Sequence, residues 1–173
     1  MNQEYSKRLS RLRGSVLDGP QSAMLISARG NCRYLSGFTG SNGYLLVTDS
    51  RALIFTDFRY LEQIKEECPD FEVVQLLGGY EPLAKVASDM RLKCVSFEPR
   101  HISYAVHREI RSALTDGTFL HPAEGAVENL RTTKDENEIE LLEMAVNLAD
   151  SAMEQALQSV HPGVTEIEVA KVI

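Results

Sequence analysis

Cysteine is scarce in this chain, and its few copies follow no metal-binding or disulfide pattern. The sequence holds three cysteines, Cys32, Cys68 and Cys94, and none of them belongs to a C-x-x-C pair. An odd number without paired spacing argues against a disulfide framework and against a structural zinc site. This usage fits a reducing cytosol, so we expect a cytoplasmic protein.

Long apolar runs and basic clusters are missing as well. No apolar stretch approaches the ~18 residues that span a bilayer, and residues 1–13 contain no apolar core of signal-peptide length. The 18 basic residues are scattered among 25 acidic ones, which gives a formal charge of −7. Such a chain lacks the electrostatic footprint of a nucleic-acid or anionic-membrane binder. We therefore expect neither as a partner.

Apolar strand patterns alternate with helical patterns through the first two thirds of the chain. With 173 residues, of which 43% are apolar, the chain has enough material for one domain and a remnant. The polar turn at residues 49–51 separates two strand-like runs and predicts an antiparallel hairpin. The fold class expected is α/β, with a mixed sheet flanked by helices. The strands are predicted at residues 23–26, 44–48, 52–56, 71–76, 94–97 and 118–121.

The pattern becomes purely helical after Pro122. Thr133 and Glu136 have the spacing of a capping box, and an apolar stripe at helical spacing follows as far as residue 160. Thr165 to Glu168 predicts a second box and a further helix. We therefore divide the chain into a domain of residues 1–126 and a C-terminal helical segment of residues 127–173.

A glycine-punctuated polar segment, residues 31–43, carries the most specific pattern in the sequence. It leads directly into the strand at residues 44–48, and we expect it to be a loop that presents polar side chains at a sheet edge. Its glycines lead into a strand and not into a helix, which excludes a dinucleotide fingerprint, and no G-x-S-x-G elbow occurs. Turn geometry is their simplest role. The candidate contact residues of this loop are Phe38, Thr39, Ser41 and Asn42.

A second short motif, Thr56-Asp57-Phe58-Arg59-Tyr60, follows the second strand of the hairpin. Asp57 is placed to cap the next helical turn, and Arg59 is placed to bind a carboxylate. For Arg59, a surface ion pair and a ligand or partner contact remain equally open. Tyr60 joins the candidate contact residues, although a place at the core edge with a bonded hydroxyl is the simpler role.

The four histidines form no metal site by spacing. His101 and His107 are six residues apart and fall on different faces of a helix, whereas His121 and His161 stand alone. No H-E-x-x-H motif occurs. We therefore expect no catalytic residue and no metal ligand within these 173 residues.

The two motifs resemble those of the creatinase, prolidase and aminopeptidase P family, in the segments N-C-R-Y-L-S-G-F-T-G-S-N-G and T-D-F-R-Y. Residues 129–139 and 162–166 resemble the passage by which these proteins enter their pita-bread catalytic domain. The resemblance implies a ribonuclease H-like N-terminal domain of an Xaa-Pro dipeptidase or aminopeptidase. It also implies that two divalent metal ions, Mn, Co or Zn, are bound by residues beyond position 173.

The resemblance further implies what this domain contacts. In the family the domain supports dimerisation and lends loop residues to the partner subunit's active site. The matching positions imply that the loop 38–42, with Asp57, Arg59 and Tyr60, borders the pocket for a proline-containing peptide. Its own catalytic domain and a second subunit are thus the expected partners, in a homodimer.

Three alternatives stay open at this point. The chain could belong to a creatinase-like amidinohydrolase, or it could be a non-enzymatic peptide-binding or dimerisation module. A ribonuclease H-like nuclease would need clustered carboxylates that hold two metal ions, for which Asp49 and Asp57 are the candidates on neighbouring strands.

Overall fold

The computed structural model describes residues 3–114 and 117–172. The chain divides into two compact units, Met1–Arg131 and Thr132–Ile173. The division between residues 126 and 127, which the sequence analysis made between the first domain and the C-terminal helical segment, stays a prediction. No helix within the described ranges is long and apolar enough to cross a membrane.

The first unit is a six-stranded mixed sheet with helices on both faces, which confirms the expected fold class. Its helices are α1 (Gln3–Val16), α2 (Arg29–Ser36), α3 (Leu61–Glu67), α4 (Glu81–Asp89), α5 (Tyr104–Ala113) and α6 (Ala126–Thr132). Its strands are β1 (Ser22–Ile26), β2 (Tyr44–Thr48), β3 (Ala52–Thr56), β4 (Glu72–Gln75), β5 (Cys94–Phe97) and β6 (Phe119–Pro122). The spatial order is β4-β3-β2-β1-β5-β6. Among the strands of the described residues, β2 alone runs antiparallel to both of its neighbours, and it forms the predicted hairpin with β3.

The central strand β1 is buried along its whole length because both faces of the sheet are covered. Met24 and Ile26 pack against α1, α2, α3 and α6, whereas Ala23 and Leu25 pack against α4 and α5. Side chains alternate between the two faces of a strand, so one apolar run supplies both cores. This explains why the sequence of β1 lacks polar alternation.

Helix α2 is a difference from the sequence analysis, which assigned residues 31–43 to a loop; for residues 31–36 that expectation was wrong. Cys32 and Leu35 lie one helical turn apart and are both buried. Gly37 ends the helix in the left-handed conformation, at φ 85°, and its N–H donates to the carbonyl of Arg33. A Cβ at Gly37 would lie 2.7 Å from the Tyr5 hydroxyl, so a side chain there would displace Tyr5 and strain the left-handed backbone. The loop itself is limited to residues 37–43.

The second unit consists of α7 (Glu136–Gln158) and α8 (Glu166–Ala170). Asp135, and not the predicted Thr133, is the N-cap of α7, because its side chain and that of Glu138 form a reciprocal capping box. The second box is confirmed at Thr165 and Glu168. Large apolar side chains remain exposed along α7, including Leu141, Met144, Leu148, Met153 and Leu157.

A buried carboxylate ties together the carboxyl ends of β1 and β5. Glu98 is only 3% exposed, and it accepts hydrogen bonds from the backbone amides of Ser27, at 2.6 Å, and Ala28, at 2.7 Å. Its other oxygen accepts from the amide of Asn31, at 2.6 Å. A buried carboxyl group is costly unless donors satisfy it, and here the segment after β1 and helix α2 supply those donors.

The same asparagine links this carboxylate to α6. The Asn31 amide also donates to Glu128, at 2.7 Å, and its carbonyl accepts from Arg131, at 2.8 Å. One fully buried side chain therefore joins β5, α2 and α6. Local sequence carries no signal for this network, because its members are up to 100 residues apart.

We predict that Glu98→Gln lowers the free energy of unfolding by about 1–3 kcal/mol, because the new amide directs a donor at other donors in a buried site. Urea unfolding followed by circular dichroism measures the change. Glu124→Gln, which alters an exposed carboxylate, is the control. Equal stability of Glu98→Gln and the unaltered chain would contradict the assigned role of Glu98.

Candidate functional site

The hairpin register brings the two sequence motifs together at one edge of the sheet. Tyr44 lies opposite Phe55, so the residues just before β2 and just after β3 are neighbours. The Thr56 hydroxyl donates to the carbonyl of Asn42, at 2.6 Å, and closes this end of the hairpin. Asn42 and Asp57 are thereby held next to each other although they are fifteen positions apart in the sequence.

Asp57 is the centre of a charged cluster formed with Asn42 and Arg59. Its carboxylate caps the 3₁₀ turn of residues 58–60 by accepting from the Arg59 amide, at 3.0 Å. It also accepts from Nε and Nη2 of the Arg59 guanidinium, at 2.9 and 2.8 Å, and from the Asn42 amide, at 2.8 Å. The predicted cap is therefore confirmed, and the same carboxylate orients the arginine.

These donors decide the charge state of the cluster. Hydrogen bonds from Arg59, and next from Asn42, hold the pKa of Asp57 well below its usual range. The reciprocal bond raises the pKa of Arg59. Since the Asp57 pKa is depressed in the folded chain, ionised Asp57 supports the fold at neutral pH, and that support is lost as the pH falls through the folded pKa.

Tyr60 connects this cluster to the loop. Its hydroxyl lies 2.7 Å from the Ser41 hydroxyl, and the Arg59 guanidinium lies 5.2 Å from the centre of its ring. The ring also meets that of Phe38 edge-on, at 5.7 Å between centroids. Tyr60 is thus half-buried at the core edge with a bonded hydroxyl, as the simpler expectation had it.

Phe38 anchors the loop in the core and does not face solvent. It is 2% exposed and packs with the helices of one sheet face. Gly40 passes directly over its ring, since a Cβ at Gly40 would lie 2.2 Å from the ring edge. The close approach of backbone to ring is what requires glycine at this position.

Thr39 is the other attachment point of the loop. Its amide and hydroxyl donate to the two carboxylate oxygens of Glu67 on α3, at 2.8 and 2.6 Å. The Gln63 amide donates to the same hydroxyl, at 2.8 Å. Although partial burial alone would raise it, the hydrogen bonds from Thr39 lower the pKa of Glu67.

The structure thus brings all seven candidate contact residues into one cluster, and their contact with a substrate or partner stays a prediction. Arg59 is the most available of the charged groups, with 59% of its side chain exposed. The sequence analysis missed Gln63 and Glu67. Their spacing of four residues is common to any solvent-facing helix, so only the tertiary fold reveals their role.

No group of three or more His, Cys, Asp or Glu side chains within the described ranges is placed to hold a metal ion.

The nuclease alternative fails on geometry. Asp49 lies in the turn after β2 and Asp57 lies after β3, so the length of a five-residue strand, about 17 Å, separates them. Two carboxylates at opposite ends of a hairpin cannot share a metal pair.

Two surface clefts lie apart from this cluster. One has a volume of about 570 Å³ and lies between the start of α4 and α5, next to Tyr80 and Arg108. The other, of about 590 Å³, lies next to Glu98 and Glu128. None of the seven candidate residues lines either cleft.

The fold and the site together define a small α/β domain that presents a hydrogen-bonded loop and an oriented arginine. The chain belongs to the creatinase/prolidase N-terminal domain family, whose profile matches residues 8–133. This confirms the resemblance seen in the two motifs.

Individual relatives agree with this assignment. YqhT, an uncharacterized peptidase of Bacillus subtilis, is 35% identical over 148 residues, which make up 85% of this chain and 42% of that protein. The Xaa-Pro dipeptidase from Bacillus anthracis has a TM-score of 0.87 at 32% identity, over 97% of this chain and 47% of its own. The chain spans about half the length of the curated relatives that it matches along most of its own length.

A solved isolated domain is also similar. The N-terminal domain of the cytoplasmic peptidase PepQ from Mycobacterium tuberculosis is 38% identical, with a TM-score of 0.64, and the match covers 75% of this chain and 99% of that domain. The similarity therefore extends over a complete N-terminal domain.

We predict that Asn42→Ala raises the pKa of Asp57 toward its ordinary range, because one of the donors to the carboxylate is lost while Arg59 remains. A pH titration of the Asp57 carboxyl carbon by NMR measures the shift. Ser41→Ala is the matched control, since that hydroxyl contacts Tyr60 and not Asp57. An Asp57 titration that is identical in Asn42→Ala and the unaltered chain would show that Asn42 does not contribute.

Proposed function

We propose that this chain is the non-catalytic N-terminal domain of a metal-dependent Xaa-Pro peptidase, either a proline dipeptidase or an aminopeptidase P. In this proposal the domain supports homodimerisation, and the loop 38–42 with Arg59 borders the substrate pocket of the partner subunit. The cytoplasm is the proposed location, in keeping with the free cysteines and with the description of the PepQ relative.

The orientation of Arg59 is the observation that carries the proposal. Asp57 occupies Nε and Nη2 of the guanidinium, whereas no hydrogen bond within the described part of the chain uses Nη1. The outward edge of the group is therefore free for an acceptor, and its geometry matches a carboxylate. A proline-containing peptide that ends in a free carboxylate supplies such an acceptor.

The hydrolytic chemistry belongs elsewhere in this proposal. The two divalent ions, Mn, Co or Zn, need several converging carboxylate and imidazole ligands, and the described residues offer no such group. The role of this chain is then to shape the pocket and to orient the peptide. No bond-breaking step is assigned to its residues.

The second unit supports the presence of a larger catalytic domain. A helix with apolar side chains exposed on several faces, as in α7, is typical of an element that other parts of a protein cover. We propose that α7 and α8 are the first helices of the catalytic domain. This assigns residues 127–173 as the linker and the start of that domain.

We predict that Arg59→Ala in the full-length peptidase lowers kcat/KM for Xaa-Pro dipeptides about 10- to 100-fold, because a charge-assisted hydrogen bond to the substrate is lost. Arg59→Lys should recover only part of this, since a lysine cannot bind a carboxylate in a bidentate manner. Steady-state assays of Xaa-Pro dipeptides and tripeptides with added Mn, Co or Zn provide the measurement.

Arg111→Ala, which removes an exposed arginine from α5, is the control and should leave the kinetics unchanged. Analytical ultracentrifugation of each variant reports the oligomeric state. If Arg59→Ala retains kcat, KM and dimerisation, the proposed contact is wrong.

A further inference from the structure

Thr39 is exposed, yet its polar groups are all used within the domain. The amide and the hydroxyl donate to Glu67, and the hydroxyl also accepts from Gln63. The Thr39 carbonyl accepts from Arg29, at 3.2 Å. An exposed threonine with four such bonds has little capacity left for a ligand. Its contacts instead fix the backbone of the loop.

We infer that Glu67 and Gln63 of α3 are positioning residues, which hold the loop 38–42 in the conformation that meets the substrate. This inference rests on the proposed function, because it specifies how the surface beside Arg59 keeps its shape. Neither residue needs to touch the peptide. Both act through Thr39.

The helix that carries the two residues is itself fixed to the core. Ile64 of α3 is fully buried, and it packs in the same core as Phe38. Gln63 and Glu67 lie one turn apart on α3, and the Gln63 amide also donates to Glu67, at 3.0 Å. The two side chains therefore present one prearranged pair of hydrogen-bonding groups to the loop.

Without this pair, residues 39–41 would keep only the bond from Arg29 to the Thr39 carbonyl and the contact of Ser41 with Tyr60. Phe38 anchors the start in the core, and the carbonyl of Asn42 is bonded to Thr56 at the other end. Residues 39–41 lie between these anchors, and Ser41 depends on their path to reach Tyr60. Fixing a loop before a ligand arrives removes the entropic cost of ordering it on binding, which favours a lower KM.

The charge of Glu67 is essential to the arrangement because both of its oxygens accept from Thr39. A glutamine at this position keeps the size but turns one acceptor into a donor, which faces either the Thr39 N–H or the donating Gln63 amide, whichever way the new amide is turned. Glu66→Gln removes the same charge from the next, exposed position and has no bond to the loop, so it is a matched control.

We predict that Glu67→Gln increases the hydrogen-exchange rate of the Thr39 amide about tenfold or more in this chain, whereas Glu66→Gln does not. Thr39→Val should loosen the loop in the same way, because the hydroxyl is lost, and Thr39→Ser should retain the slow exchange. Thermal unfolding shows whether each variant keeps its fold. If Glu67→Gln fails to fold, the Thr39→Val and Thr39→Ser pair tests the same contacts.

In the full-length peptidase, we expect Glu67→Gln to raise KM for Xaa-Pro dipeptides about three- to tenfold with kcat nearly unchanged, as for a lost positioning contact. If Glu67 had only a structural role, Glu67→Gln would lower the unfolding temperature without raising KM selectively over kcat. Unchanged exchange at Thr39 would overturn the inference whatever the kinetics.

Arg59→Ala separates this inference from the proposed function. If Arg59→Ala impairs the enzyme and Glu67→Gln loosens the loop without any change in KM, the positioning role is wrong and the proposed function stands. If Arg59→Ala has no effect, the proposed contact of this surface with the substrate fails, and the positioning role fails with it.

Discussion

The antiparallel pairing of β2 with β3 is the constraint on which the candidate site depends. Because Tyr44 lies opposite Phe55, the loop that enters β2 and the turn that leaves β3 meet at the same edge. A shift of one residue in this register would turn every buried side chain of β2 toward the opposite face. The core therefore fixes the register, and the register places Asn42 beside Asp57.

Two carboxylates stabilise the carboxyl ends of the strands in related ways. Glu98 is buried and is surrounded by backbone and asparagine donors, whereas the side chain of Asp57 is 20% exposed and binds an arginine. Both hold irregular backbone that follows a strand, where amides lack partners in the sheet. The two carboxylates differ in which hydrogen-bonding groups can still reach an outside partner. The donors to Glu98 lie inside the fold, whereas the pair of Asp57 with Arg59 leaves part of the guanidinium facing solvent.

The sequence analysis was reliable where local pattern and local geometry coincide. The six strands, the hairpin and the cap at Asp57 follow from apolar runs, turn residues and capping chemistry, and each was predicted within a few residues. Helix α2 was missed because Gly37 and Gly40 led us to assign the whole segment of residues 31–43 to a loop. Its signals were present, in the spacing of Cys32 and Leu35 and in a glycine just past the last turn.

The sequence by itself determined the mixed α/β class, the family and the residue types at the site. These depend on periodicity and on short motifs, which are properties of neighbouring positions. Only the tertiary structure decided that Glu67 binds Thr39, that Asn31 joins Glu98 to Glu128, and that Phe38 lies in the core. Such contacts join residues 28 to 97 positions apart, or depend on what surrounds a side chain, and no local pattern encodes a partner at that distance.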